Sequence, residues 1–257
     1  KTAVASNQAL TPVAFQDRVG LLKQPVGHAT LGKLRSGAGL AASCLATLEF
    51  LEIPIPEATV AIQGFGGLAA GAAHFLHQAG VKIIGLADRE KSLISPDRSP
   101  LDIPDLLART CRDCQENGII PKCGNALPYG PREAIYSVPC DVFIPAAIEK
   151  AVTQQEAESI PVKAIASGAN LAVTDEAEKI LHRRSIPVIP DMVAGCGGSL
   201  SMDGLFGPDT LPAVEDVLNH VDRKTRSIVQ EILQRSRKDG LTPREAALLI
   251  CAEAPLH

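Results

Sequence analysis

The stretch Thr59-Val-Ala-Ile-Gln-Gly-Phe-Gly-Gly-Leu-Ala69, with Val81-Lys-Ile-Ile-Gly-Leu-Ala-Asp88 after it, decides the fold. Thr59–Gln63 is a short apolar run of strand type, Gly64–Gly67 a tight turn, and Leu68–Gln78 a helix built from small residues. Gly80 stops that helix, and Val81–Ala87 is a second strand. Strand, helix and parallel strand within about 30 residues make a βαβ unit, whose crossover is right-handed. The turn reads Gly64-Phe65-Gly66-Gly67-Leu68-Ala69, a G-x-G-x-x-A pattern. Its first glycine permits the tight turn and its second lets a pyrophosphate approach the backbone. The small third position allows helix and strand to pack closely. Unpaired N–H groups at the helix start complete a phosphate site. A nicotinamide dinucleotide is the expected ligand.

Asp88 stands at the end of the second strand, where a carboxylate accepts hydrogen bonds from the adenosine ribose and favours NAD. Arg89 and the nearby Lys91 would instead meet a 2′-phosphate, so NADP stays open. Three later segments place small residues at strand ends: Phe143-Ile-Pro-Ala146-Ala147, Ser167-Gly-Ala-Asn170 and Ala194-Gly-Cys-Gly-Gly-Ser199, the last read as a loop. Ligands of open α/β sheets bind outside the carboxyl ends of strands, and small residues there leave room. Asn170 could hydrogen-bond a nicotinamide amide or a ribose.

Around this centre α and β segments alternate. A buried helix is expected over Ser36–Leu51 and another over Ile103–Asn117; strands are expected at Asp141–Ile144, Lys163–Ser167 and Ile186–Ile189, with a helix at 174–184 before the last. Pro212–Arg237 repeats apolar residues at helical spacing, and Thr242-Pro-Arg-Glu245 caps a final helix to about Cys251. The alternation predicts an α/β fold: a doubly wound, Rossmann-like, mostly parallel sheet with helices on both faces and C-terminal helices over 212–254. Residues 1–35 read as a turn-rich lead-in, and 36–257 as one dinucleotide-binding domain.

Composition narrows the function classes. The 257 residues are 46% hydrophobic and 21% charged, as a packed globular chain requires. A net charge of −4, 3% aromatic residues and no Trp argue against nucleic acid as partner. No apolar run reaches the ~18–20 residues that span a bilayer. The first residues carry no secretory pattern, so a cytoplasmic location is expected, and the start at Lys1 rather than Met suggests an upstream piece. Seven scattered cysteines look unlike a disulfide framework, and Cys111-x-x-Cys114 with Cys123 lacks the partners of a zinc set. The six histidines show no metal spacing, so no metal is expected.

Several segments together resemble the glutamate/leucine/phenylalanine/valine dehydrogenase family, with the glutamate dehydrogenase branch closest. They are Val60-Ala-Ile-Gln-Gly-Phe-Gly66, Cys140-Asp-Val-Phe-Ile-Pro-Ala-Ala147, Ser167-Gly-Ala-Asn170, Thr174-Asp-Glu-Ala177, Pro187-Val-Ile-Pro-Asp191 and Gly197-Gly198, in the family's order. Arg35-Ser-Gly-Ala-Gly39 is similar to the family's A-T-G-x-G segment, with Ser36 keeping a hydroxyl near the nicotinamide. The resemblance implies oxidative deamination of an L-amino acid with hydride transfer to the nicotinamide, in two domains that close over a cleft. This chain resembles the second, cofactor-binding domain, so no catalytic residue is nominated. The resemblance also implies homo-oligomers and a small-molecule amino-acid substrate once the other domain is supplied. Cofactor contacts are assigned to Ser36, Gly64, Phe65, Gly66, Gly67, Leu68, Asp88, Arg89, Ala146, Ala147 and Asn170. Three positions depart from the family pattern. N-A-G-G reads Gly195-Cys-Gly-Gly198, a substrate-facing Ser reads Met202, and Glu-Gly-Ala-Asn begins with Ser167. Such losses imply a different substrate or a chain that binds cofactor without turnover.

Overall fold

The computed structural model describes residues 10–110, 119–121 and 128–254. Helix α1 (Pro12–Gly20) starts at Thr11, whose hydroxyl accepts from the Ala14 N–H, and a 3-10 turn (Leu21–Lys23) follows it. A small antiparallel ladder pairs β1 (Pro25–Val26) with β2 (Ala29–Thr30). Helix α2 (Leu31–Phe50) then begins at Leu31 rather than at the expected Ser36. Buried Leu31 and Leu34 carry its apolar surface upstream. Gly32 lies inside the helix, where a Cβ would sit 2.9 Å from the Leu22 carbonyl oxygen.

The βαβ unit comprises β3 (Thr59–Gln63), α3 (Gly67–Gln78) and β4 (Lys82–Ala87), with β3 and β4 parallel. Next come β5 (Lys91–Ile94), α4 (Ile103–Arg109), β6 (Tyr129–Pro131) and a 3-10 segment (Arg132–Ser137). The second half of the chain adds β7 (Cys140–Pro145), α5 (Gln154–Ser159), β8 (Val162–Ala166), α6 (Asp175–Arg183) and β9 (Val188–Ile189). It closes with α7 (Asp191–Ala194), α8 (Gly197–Phe206), α9 (Val214–Asp239) and α10 (Pro243–Glu253). The seven-stranded sheet has the order β6-β5-β4-β3-β7-β8-β9. Strands β4, β3, β7, β8 and β9 run parallel, while β5 and β6 are antiparallel additions at one edge.

The expected α/β class holds, with local corrections. Strands β5 and β6 and helix α5 are additions to the sequence reading. Helix α4 ends at Arg109, short of the expected Asn117, and residues 111–118 lie outside the described residues. Cys111, Cys114 and Cys123 lie outside them too. The segment 194–199 is not a loop: α7 ends there and α8 begins at Gly197.

Strand alternation divides the core. Val60, Ile62, Val142 and Ile144 join α2, α3 and α9 on one face; Ala61, Phe143 and Ile165 join α5 and α6 on the other. Helix α2 is buried almost all round from Gly37 to Leu48, which suits its lack of a charged stripe. Among the described residues no helix is long and apolar enough to cross a membrane.

Candidate functional site

Strand β3 has β4 on one side and β7 on the other, so the chain leaves it in opposite directions and opens a crevice above its carboxyl end. The G-x-G-x-x-A turn lies there. Gly64 has φ +102°, and its N–H donates to the Ala87 carbonyl at 2.6 Å. A Cβ on Gly64 would lie 2.8 Å from the Ala146 carbonyl oxygen, so both conformation and packing demand glycine. Gly66 caps α3 with extended backbone (φ −73°, ψ −178°) and no capping side chain, and the first turn holds no acidic residue. The first helical bond runs from the Ala70 N–H to the Gly66 carbonyl, which leaves the N–H groups of Gly67, Leu68 and Ala69 as the turn's donors. This cradle fits a pyrophosphate. Phe65 is fully buried and anchors the turn, so any ligand contact there is made by its backbone. Gly67 is exposed and Leu68 half-buried.

The other small-residue segments line up beside this turn. The Ala146 N–H donates to the Gln63 carbonyl at 2.8 Å, and the Gly168 and Ala169 N–H groups donate to the Pro145 carbonyl at 2.9 and 3.0 Å. A Cβ on Gly168 would lie 2.8 Å from the Ala146 Cβ. Gly39 of α2 meets Gly197 of α8 at backbone contact, a Cβ on Gly39 falling 2.5 Å from the Gly197 Cα. Ser36 faces the same junction, its Oγ 3.1 Å from where a Gly198 Cβ would be. The structure thus gathers Gly64, Ala146, Gly168, Gly198 and Ser36 on one shelf, with Ala147 and Asn170 exposed on its lip. Two enclosed acceptors at the strand ends lack partners, Gln63 Oε1 and Ser167 Oγ. The Gln63 amide nitrogen donates to the Tyr136 hydroxyl at 2.9 Å.

The Asp88 carboxylate has backbone partners of its own. Its Oδ1 accepts from the Glu90 and Lys91 N–H groups at 2.7 and 2.8 Å, and its Oδ2 accepts from the Ile120 N–H at 2.8 Å. Only 5% exposed, this carboxylate organises the turn into β5. Arg89 is exposed beside Glu90, and the Lys91 ammonium lies 3.9 Å from the centre of the Tyr129 ring.

Two features lie beyond the sequence reading. One is that large apolar side chains are exposed after the parallel strands: Ile148 after β7, Leu171 after β8 and Met192 after β9, as is Met202 of α8. The other is Arg35, whose Nη1 donates to the Gly198 carbonyl and the Ser201 hydroxyl, both at 2.8 Å. A guanidinium inside an otherwise Gly/Ala/Ser segment was the available signal. The thiols at Cys44 and Cys140 are inert, since burial pushes both up, Cys140 to about 12. No three His, Cys, Asp or Glu side chains gather into a metal set among the described residues.

Comparison with known proteins adds an independent line. Residues 33–254 match the family model described as Glutamate/Leucine/Phenylalanine/Valine dehydrogenase. The glutamate dehydrogenase of Thermotoga maritima is 28% identical over 226 residues, 85% of this chain and 52% of that protein. A catabolic NAD-specific glutamate dehydrogenase of Bacillus subtilis is 37% identical over 146 residues, 57% of this chain and 32% of that one. An NADP-specific glutamate dehydrogenase of Saccharolobus shibatae is 33% identical over 149 residues, covering 56% and 32%. The chain therefore spans a third to a half of the length of these relatives. In structure it is similar to the hetero-hexameric glutamate dehydrogenase of Thermus thermophilus, with a TM-score of 0.70, 23% identity, and 84% and 50% of the two chains covered. At that identity the likeness is one of fold.

Proposed function

The chain belongs to the glutamate/leucine/phenylalanine/valine dehydrogenase family, and from that premise we propose that it is the dinucleotide-binding domain of an amino-acid dehydrogenase. The domain begins with α2 and includes α9 and α10. The cofactor is NAD, with NADP possible, since relatives of both kinds exist. Inward-facing Asp88 takes away the main reason to prefer NAD, and exposed Arg89 leaves room for a 2′-phosphate. The observation that carries the reading is the uncapped start of α3, held by Gly64 at the switch point of the sheet.

When bound, the nicotinamide accepts a hydride from the substrate. The chain's own part is to bind and orient. N–H groups of Gly67, Leu68 and Ala69 hold the pyrophosphate, and the small shelf of Ala146, Ala147 and Gly168 lets the rest lie close to the sheet. Ser36 and Asn170 offer a hydroxyl and an amide at the nicotinamide end. The base that deprotonates the amine comes from the length of the family that this chain does not span, so these 257 residues alone bind cofactor but do not turn over. The complete protein acts in the cytoplasm as a homo-oligomer on a small amino acid, without nucleic-acid or membrane partners.

Titration with NADH and NADPH tests this, using wild type and Gly66→Val. The φ of −73° at Gly66 suits valine, so the variant should melt within a few degrees of wild type while losing cofactor affinity at least about tenfold. Equal affinity would remove the pyrophosphate assignment. Exposed Met202, where the family pattern has a substrate-facing Ser, favours a second reading, a cofactor-binding relative without catalysis. Assay of the longest native chain with a panel of amino acids separates the two, because any turnover eliminates the second.

A further inference from the structure

Helix α9 carries a charged stripe, Asp216, His220, Arg223 and Lys224, at i, i+4, i+7 and i+8. The stripe is not a plain solvated face. It lines a cavity of about 610 Å³ whose other wall is the end of α8, with Asp203 and Gly204, and Gly207 and Pro208 after them. The two glycines add no side chains and leave the space open. Small-molecule sites have volumes of ~300–1,000 Å³, and this one falls among them. It is separate from the crevice, about 14 Å along α8 from Gly198.

The charges around the cavity do not cancel. Both carboxylates are already committed: Asp203 Oδ2 is 2.8 Å from His220 Nε2, and Asp216, in the first turn of α9, accepts from the Ala213 N–H at 3.0 Å. Arg223 and Lys224 are exposed and make no hydrogen bond or ion pair among the described residues. Adjacent in sequence, they also repel one another. A third cation lies behind the Pro208 wall. Arg18 of α1 is 2% exposed, takes part in no ion pair among the described residues, and donates to the carbonyls of Leu205, Pro208 and Asp209 at 2.5, 2.9 and 3.2 Å. It touches no ligand, but it fixes the wall and its charge adds to the field there. The negative end of the α8 dipole offsets part of that charge, and three cations still face two carboxylates.

We propose that this cavity binds a small oxyanion of at least two negative charges, a phosphate or a polycarboxylate, held by Arg223 and Lys224 beside His220. A guanidinium offers such a group two parallel donors, and an ammonium adds a mobile point charge. The site stands whether or not the crevice takes a dinucleotide.

The test titrates the full chain, saturated with NADH so that the α3 cradle is filled. Inorganic phosphate and citrate are the two candidate chemistries, and acetate is the monoanion control. Phosphate or citrate should saturate the protein below about 5 mM, with acetate at least about tenfold weaker. The tighter of the two names the group. Arg223→Gln with Lys224→Gln should weaken binding about tenfold or more and melt within a few degrees of wild type, since both side chains are exposed. Arg237→Gln with Lys238→Gln removes the same charge at the far end of α9 and should change affinity less than about twofold. If the first double variant does not fold, the His220 ring resonances of wild type still report, and they should shift as the anion saturates. Equal affinity in wild type and the first double variant, equal losses in the two double variants, or a stationary His220 ring at saturation overturns the proposal. So does failure of both phosphate and citrate to bind wild type. Phosphate that binds only without NADH, and independently of Arg223 and Lys224, occupies the α3 cradle; that result supports the cofactor reading and counts against the cavity.

Discussion

Gly64 and Asp88 show what single residues disclose in a sequence and what they conceal. The glycine was legible because a strand-to-helix turn of this kind needs a positive φ, and the structure gives +102° there. Replacing it by alanine should cost ~2–3 kcal/mol in denaturant unfolding, since the backbone is strained and the new Cβ meets the Ala146 carbonyl oxygen. A loss under about 0.5 kcal/mol would mean that the turn relaxes freely. The backbone bonds of the aspartate were hidden for a physical reason. A carboxylate at a strand end reads the same whether it awaits a ribose or gathers its own backbone N–H groups, and the third donor, Ile120, lies 32 residues away. Asp88→Asn keeps the shape but gives up the charge and one acceptor oxygen. It should lower stability by ~1–3 kcal/mol and change cofactor affinity only slightly. Unchanged stability with a large loss of NADH binding would restore the ribose role.

Elements were legible where their period was long enough to register. Helix α9 has 26 residues with an apolar stripe, and its end at Gly240, φ +68°, was marked by the glycine itself. Strands β5 and β6, with four and three residues, are too short for a period and pair antiparallel across a long connection. Helix α5 has six residues, though Thr153 and Glu156 form a capping box that could have marked it. Contacts between elements are where the structure adds most. The β1–β2 turn rests on α3 through His28 and His74, whose rings lie edge to face at 4.9 Å, with His74 beneath Gly27. Burial lowers both pKa values, and His28 and His77 add to the effect on His74. Both imidazoles therefore favour the neutral form in the fold more than in the unfolded chain. Their contribution is fully present above the unfolded value near ~6.5 and is lost as pH falls below it. Hydrogen exchange at Val26–Thr30 should accelerate between about pH 7 and pH 5 beyond the intrinsic chemistry, and His74→Gln should flatten that excess. At the far edge Arg244 of α10 joins Glu178 of α6 at 3.0 Å and Asp191 of α7 at 2.9 Å. Arg244→Met strands the enclosed Glu178 carboxylate and should cost ~2–3 kcal/mol by thermal or urea unfolding, whereas a surface pair would cost under ~1.

For the whole molecule, these carboxylates set the response to acid. Asp141 lies at the amino end of β7 and ties it to both neighbours. Its Oδ2 accepts from the Thr59 N–H and hydroxyl at 2.7 and 2.8 Å, and its Oδ1 is 2.9 Å from the Lys163 ammonium of β8. Burial alone would raise its pKa, but hydrogen bonds from Lys163 and Thr59 outweigh that and hold it below the usual carboxylate range. Asp191 behaves alike: burial pushes upward, while the Leu171 N–H and Arg244 pull it down. A carboxyl with a depressed folded pKa stabilises the protein above its unfolded value, near ~3.9, and loses that contribution as pH falls through the folded value. Lys163 is mostly exposed, so its share is screened, and the enclosed Thr59 bonds carry the larger part. Acid should therefore act in two stages. The β1–β2 turn loosens first, near pH 6, and the parallel sheet fails only below about pH 4. Asp141→Asn isolates the second stage. At neutral pH it should destabilise by ~1–2 kcal/mol, and near pH 3 by less, because the wild type is then losing the same charge. Urea midpoints of both proteins measured across that range give the answer: converging curves assign the acid step to Asp141, and parallel curves place it elsewhere.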